Sequence, residues 1–483
     1  MKFYSSSDLA SASVKTVSEK KIAGLLADDQ HYNLKTPLLF LLLFALIAIP
    51  RWYYVEHFAV SLPFWDQWDA EGDHLLRPWL EGTFKFQDLW LPHNEHRVLP
   101  TRLLTLLSYE ISGHWNNLTE ARINILLASS SPFLLILLVY KTGELKGIKW
   151  LMLPVILTGA VFPFVWENLL VGFQSQFYFL ILFTVSALAL SVWRPFKTVS
   201  FILIFILCVL SVFTMASGIM TPFAVASVYI FHAYLGKKQA KTILFISILL
   251  ITALVGYLTI PPMPGHEIFK AHSVKELFTT FLLMESWPFK VRYWAALMLW
   301  IPTCIALPYL IHHKNFTRYD LLMAGCLLWS LLQAFATSYG RGHDLNSVTS
   351  RYADFLCIGL TANAWFALRL PILFYKRSGI NFALTLVSIL FFTVFFKGHF
   401  ARRKDDIIDM QNRHKMGLIQ IKNVSEYLRT GNQSTLQKPA FQIPYPDPVR
   451  LKQMLDNPAL RSSLPTFNAD ETIPTQQSDL SHN

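Results

Sequence analysis

Eleven long apolar runs, parted by short connections that carry lysine and arginine, constrain this chain more than any other feature. A hydrocarbon core needs about 20 apolar residues per helix, and only a helix satisfies the backbone of such a run inside lipid. The expected spans lie near 37–55, 121–140, 150–166, 169–192, 199–214, 217–235, 242–260, 292–311, 320–338, 353–374 and 380–396. With 53% hydrophobic and only 15% charged residues, and 38 phenylalanines among 483 residues, the chain is too apolar for a soluble enzyme. Its net charge of +11 does not indicate nucleic acid, because the basic residues cluster between apolar runs. Cys208, Cys304, Cys326 and Cys357 all fall within apolar stretches, so neither a disulfide framework nor a zinc spacing is present. The expected fold class is an all-α polytopic membrane protein of about 11 transmembrane helices, in contact with the lipid bilayer.

Charge orients these helices. Lys141, Lys146 and Lys149, then Arg194 and Lys197, then Lys237, Lys238 and Lys241, then Lys314 and Arg318, then Lys376 and Arg377 mark alternate connections, which the positive-inside rule assigns to the cytoplasm. Residues 1–35 join them as a cytoplasmic N-terminal segment, and the first run reads as an anchor, since about 35 polar residues precede it and no cleavage site follows. The intervening connections then face outward, into a periplasm if the membrane is a bacterial inner membrane. They include a long first loop at 56–120 and a segment at 262–290, each with interfacial helices expected, and a small polar tail at 398–483. Leu99 to Ile111, taken as a cramped span, would reverse every later orientation; the later charge clusters argue against that. The tail is expected to hold short helices near 403–429 and 448–458, with disorder beyond about 467; it reads as a cap or as a peripheral appendage.

The unusual polar residues gather on the outward side. Phe64-Trp65-Asp66-Gln67-Trp68-Asp69-Ala70-Glu71-Gly72-Asp73 follows the first run, and His93-Asn94-Glu95-His96-Arg97 answers it. Ionised groups beside a bilayer need a partner, water or a charged ligand. In a helix over Trp65 to Asp73, Asp66 and Asp69 share a face, where they hold a divalent cation such as Mg²⁺ or Mn²⁺, or act as a base and its orienting partner. The bland reading is a solvated helix cap with Trp65 and Trp68 as interfacial anchors. Burial beside the tryptophans is expected to raise the Asp66 pKa. His93, Glu95 and His96 are plausible ligands or proton carriers, and Arg97 suits phosphate, against the plainer role of capping the next helix. Glu167, Gln174 and Gln176 flank a tight turn, where amides read sugar hydroxyls or merely join helices. Arg341, Arg351 and Tyr352 follow the ninth run, the arginines as phosphate ligands or as snorkelling anchors.

An acidic motif directly after the first span, the His-Asn-Glu-His-Arg signature, some eleven spans and the late Ser350-Arg351-Tyr352 resemble the GT-C superfamily of integral membrane glycosyltransferases. The resemblance covers roughly the first 375 residues and is one of pattern. It implies that residues 36–397 form a catalytic domain in which Asp66 is the base or a metal-associated carboxylate. It also implies a polyprenyl-phosphate sugar donor whose phosphate the basic residues receive, and a glycan or lipid acceptor. Many members have adjacent acidic residues, whereas Gln67 and Trp68 separate Asp66 from Asp69 here. The expected activity is hexosyl or pentosyl transfer with inversion, with Asp69 and Glu95 as further catalytic candidates. Two alternatives fit the same residues, a flippase of lipid-linked sugars and an acid-independent ligase or phosphotransferase.

Overall fold

The computed structural model describes residues 35–143, 145–236 and 240–467. Two compact units divide the chain, residues 1–45 and residues 46–483. Of the first, the described part is the start of α1, Lys35–Phe58. The longer helices that follow are α2 Leu99–Ser112, α3 Asn117–Lys141, α4 Met152–Val161, α5 Ser175–Trp193, α6 Thr198–Val212, α7 Met220–Tyr234 and α8 Ala240–Leu258. After these come α9 Val274–Glu285, α10 Trp294–His313, α11 Arg318–Arg341, α12 Ala353–Leu373, α13 Ser378–Thr430 and α14 Pro448–Asp456. No strand occurs among the described residues. The expected disorder beyond about residue 467, the cytoplasmic segment before Lys35, and Lys237 and Lys238 lie outside the described residues.

The protein is an all-α integral membrane protein that crosses the bilayer many times. Among the described residues, nine helices are long and apolar enough to span it. The other two runs, 150–166 and 199–214, form the shorter apolar helices Gly147–Val161 and Thr198–Val212. Apolar side chains stay on the outside of this bundle; on α8, Ile251, Leu254 and Leu258 are all more than half exposed, as a lipid-facing stripe requires. Sequence-local signals set the helix starts. Asn116 caps α3 by accepting from the Leu118 and Thr119 amides. Thr317 and Asp320 form a capping box at α11. Asp320 also accepts from Trp365 Nε1 at 2.7 Å and pairs with Arg369 at 3.2 Å, so the charge buried between α11 and α12 is fully partnered.

The tail does not begin as separate material at 398. α13 runs unbroken for 53 residues, which at 1.5 Å per residue is about 80 Å, far more than a bilayer needs. No proline interrupts it, and beyond Lys397 its buried positions, Arg402, Asp406, Met410, Gly417, Ile421 and Val424, keep helical spacing. Gly431 ends it in a left-handed conformation at φ 72°.

Whether the tail caps the rest or hangs from it is decided by packing. Ile421, Val424, Ile443, Leu451, Met454 and Leu460 share one hydrophobic core with Leu62, Trp68, Leu75, Leu106 and Trp115 of the first loop. Within that loop, α2 is a 14-residue helix, shorter than the nine spanning helices. Arg102, buried in it, donates to the carbonyls of Asp88, Leu89 and Leu91 and so pins the chain that precedes the helix. Leu103, Leu107 and Ile111 form an exposed apolar stripe on its other side.

Candidate functional site

The first loop turns sharply where Asp66 sits. Trp65 takes a left-handed backbone at φ 56°, uncommon for an aromatic residue. The C-terminal segment holds it there: its amide donates to the Pro444 carbonyl at 2.7 Å and its ring stacks on Phe441 at 5.0 Å. Gln67 Oε1 accepts from the Phe64 amide at 2.9 Å, closing the turn. The chain then enters a π-helix, Trp68–Leu76. Such turns are rare and concentrate at functional sites. Asp66 precedes this helix and faces His93, while Asp69 within it turns to Tyr445 and Arg450, so the expected shared face of Asp66 and Asp69 does not form.

Asp66 lines a cavity of about 280 Å³ with Trp65, Glu167, Gln174, Arg351 and Arg413, walled by Phe64, Phe173 and Phe441. Its carboxylate lies 3.6 Å from His93 Nε2 and keeps 44% of its side-chain surface exposed. Burial opposes its ionisation, but the His93 imidazole 3.6 Å away and the positive field of Arg351 outweigh that and hold its pKa below the usual carboxylate range. This corrects the expectation from sequence, where burial beside the tryptophans was to raise it. Asp66 is a carboxylate at neutral pH.

Two guanidinium groups face the same cavity. Arg413 lies 3.8 Å from the Phe64 ring centre and Arg351 sits 5.6 Å from that of Tyr352. Neither forms an ion pair within 4.0 Å among the described residues. The turn bearing Arg351 is tied to the short helix Trp166–Leu170 from both sides. Glu167 Oε2 accepts from the Arg351 amide at 3.0 Å, the Glu167 amide donates to Ser350 Oγ at 3.1 Å, and Asn168 Nδ2 donates to the Arg351 carbonyl at 2.9 Å. Gln176 contacts Gln174 at 3.4 Å rather than lining the cavity.

The remaining candidates are dispersed. Trp68 is fully buried, edge-on to Trp115, with its indole donating to the Pro63 carbonyl, so it belongs to the core. Asp69 faces the C-terminal segment, accepting from Tyr445 Oη at 2.6 Å and from Arg450 at 3.2 Å. His93 and His96 exchange backbone hydrogen bonds at 2.8 and 2.9 Å across the turn at Asn94. The half-buried His96 accepts from the Ala216 amide at 3.2 Å and has its pKa pushed down to about 4 by desolvation, so it is a neutral latch on that turn. Glu95 pairs with His266 at 2.9 Å, and Arg97 donates to the Thr259 carbonyl at 2.7 Å. Both line a second, apolar cavity of about 570 Å³ whose walls include Val209, Val212, Ile251 and Val255. Arg341 stacks over Phe269 at 4.9 Å.

Several side chains at or beneath the cavity escaped sequence reading. Arg413 and Phe441 come from the region read as tail; the proline-free run through residue 430 was the available signal for the first, and nothing local marked the second. Under the Asp66 turn, Gln67 Nε2 donates to Glu71 Oε2 at 2.9 Å and to Glu120 Oε2 at 3.3 Å. Both glutamates are buried, so the residue next to Asp66 is clamped by a pair of carboxyl groups. Gly172 permits this, since a Cβ there would lie 2.4 Å from the Glu120 side chain.

A cation shared by Asp66 and Asp69 does not fit these residues. Both oxygens of Asp69 are engaged by Tyr445 and Arg450, while Asp66 faces His93. No family model matches the chain, and neither a curated protein nor a solved structure matches it.

Proposed function

We propose that the chain is an integral membrane glycosyltransferase that moves a sugar from a polyprenyl-phosphate donor to a glycan or lipid acceptor. One observation supports this reading: an ionised carboxylate, Asp66, shares a cavity with two arginines that form no ion pair within 4.0 Å among the described residues. In this scheme Asp66 Oδ takes the proton of the acceptor hydroxyl as its oxygen attacks the anomeric carbon, and Arg351 and Arg413 receive the charge that develops on the departing phosphate. A single displacement of this kind inverts the anomeric configuration. Trp65 and Phe441 offer flat apolar faces to a sugar ring, and Gln174 a hydroxyl-reading amide. The second cavity, apolar and spanned by α6 and α8, has the character an isoprenoid chain needs. In this scheme the proton transfer and the leaving phosphate are served by Asp66, Arg351 and Arg413 without a metal between Asp66 and Asp69.

The same proposal includes the topology. With all eleven apolar helices of the described residues, two of them short, taken as spans, the alternating basic connections favour a cytoplasmic start, and an Asp66 loop and C-terminal segment outside, in the periplasm of a bacterial inner membrane. Tags placed after Lys146 and Arg377 are then expected to report cytoplasm, and tags after Asp88 and Ser463 the outer side. The test of function is transfer of radiolabel from polyprenyl-phosphate sugars in proteoliposomes made with the full chain. Asp66→Asn is expected to abolish transfer with no loss of folded protein, and Arg351→Ala and Arg413→Ala to weaken donor binding and turnover together. A flippase of lipid-linked sugars tolerates Asp66→Asn in a translocation assay, and an acid-independent ligase keeps its turnover in that variant. Either outcome displaces the glycosyltransferase reading.

A further inference from the structure

His272, Glu276 and His343 stand away from both cavities, on two chain segments that the backbone holds together. The segment before α9 and the end of α11 are joined by the Ala271 amide donating to the Tyr339 carbonyl at 2.9 Å and by the His343 amide donating to the Phe269 carbonyl at 3.2 Å. Thr280 Oγ1 donates to the Gly342 carbonyl at 3.2 Å. Gly342 is required for this approach, since a Cβ there would lie 2.8 Å from Ala271 Cβ. On this frame the two imidazole rings stack at 4.0 Å with 27° between their planes. Glu276 Oε2 lies 3.6 Å from His343 Nδ1.

We propose that these three side chains form a zinc-class metal site, a clip between the segment before α9 and the end of α11. One ligand atom from each residue lies within 4.8 Å of the others. Zinc with bonds of 2.0–2.2 Å needs ligand atoms roughly 3.4 Å apart, so atoms now within 4.8 Å of one another must draw together by about 1.4 Å or less. Two imidazoles and one carboxylate are a donor set for zinc and its neighbours among the transition metals, whereas magnesium and calcium prefer oxygen alone. Three protein ligands leave a fourth position for water, and exposed histidines give the ion a way in.

The plainer account is a helix cap. Ser273 accepts from the Glu276 amide at 3.1 Å, and Glu276 Oε2 accepts from the His272 amide at 2.7 Å. That explains Glu276 but requires neither histidine, and it leaves Oε1 for a metal. A protonated pair of stacked imidazoles would repel; a shared ion lets both stay neutral and bound. The clip has consequences for the first loop, because the segment it fastens also carries His266, the partner of Glu95, and Phe269, the platform for Arg341.

Metal binding by the untagged, chelator-stripped full chain in detergent tests the proposal and does not depend on glycosyl transfer. Zn²⁺ titration is expected to give one site per chain at pH 7.5, with a rise in melting temperature, and Co²⁺ to give the visible absorption of a four-coordinate site. Affinity is expected to fall at least tenfold in His272→Ala, His343→Ala and Glu276→Gln, and to fall as pH drops and the imidazoles protonate. Glu95→Gln and His266→Ala, which remove the other nearby histidine and carboxylate pair, are expected to leave it unchanged. Each variant is compared through its metal-free melting temperature; if His343→Ala does not fold, His272→Gln and Glu276→Gln answer the same question. Absence of a Zn²⁺ site in the folded protein, or a site lost with Glu95 and His266 but kept without the triad, overturns the proposal.

Discussion

Replacing Glu71 with glutamine is expected to reduce the pH dependence of the first loop's stability, with the buried Glu120 beside it keeping the remainder. The Glu71 carboxyl is fully buried and takes hydrogen bonds from Gln67 Nε2 at 2.9 Å, Trp115 Nε1 at 3.1 Å and Thr105 Oγ1 at 3.1 Å, beside the buried Glu120. Burial is the largest influence and, against those hydrogen bonds, pushes its pKa from 4.5 up to about 7. Below the lower value the group is protonated in both folded and unfolded chains. Between the two values only the unfolded chain gives up its proton, so folded stability is lost as pH rises, and the loss is complete above the folded pKa. A shift of this size corresponds to roughly 3 kcal/mol, or about a hundredfold in the local opening constant. Glutamine cannot ionise, still accepts from Trp115, and lets the Thr105 hydroxyl turn to accept in its place. The assay is hydrogen exchange of the amides at 68–76 at pH 5 and pH 8, corrected for intrinsic exchange rates. The wild-type chain is expected to open up to about a hundredfold more readily at the higher pH, and Glu71→Gln by a smaller factor, Glu120 still being able to ionise. Equal pH dependence in both proteins would refute the assignment of the proton to Glu71.

Gly172→Ala is expected to lower stability by about 1–3 kcal/mol, seen as a reduced melting temperature, because the added Cβ meets the Glu120 side chain. Arg450→Ala strips a partner from Asp69 and Asp73; with Arg450 part-exposed and Arg77 still paired with Asp73, the cost is about 1 kcal/mol or less, with faster proteolysis between Thr430 and Pro448 as the readout. Asp320→Ala leaves the Arg369 charge buried without its partner and is expected to cost about 3–5 kcal/mol. Asp320→Ala with Arg369→Leu should recover part of that loss on size-exclusion chromatography. Phe441→Ala, which removes the ring stacked on Trp65, is expected to raise KM for a sugar donor more than it lowers kcat.

Much of the fold was legible in the residues alone because hydropathy and its period are local properties. Each of the eleven apolar runs forms a helix, and the caps at Asn116 and Thr317 lie within a turn of the amides they satisfy. The candidate site was legible in part. Asp66, Trp65, Glu167, Gln174 and Arg351 do share one cavity, since all of them follow or precede spans at the same end of the chain's alternating path. The split within His93 to Arg97 was not legible, because a tight turn at Asn94 sends His93 to Asp66 while Glu95 and Arg97 line the other cavity.

By itself, then, the sequence determined that this chain enters a membrane as helices, and roughly where each begins, since every residue there answers to its near neighbours and to the solvent. Only the tertiary structure decided that α13 would run on past residue 398 and deliver Arg413 to the Asp66 cavity, and that the chain after it would deliver Phe441. The structure likewise decided that Tyr445 and Arg450 would take Asp69 away from the cavity, and that Glu71 and Glu120 would meet around Gln67. These pairings join residues far apart in the chain. They depend on which buried surfaces fit one another, and a carboxylate's pKa, as at Asp66, depends on charges that only packing brings near.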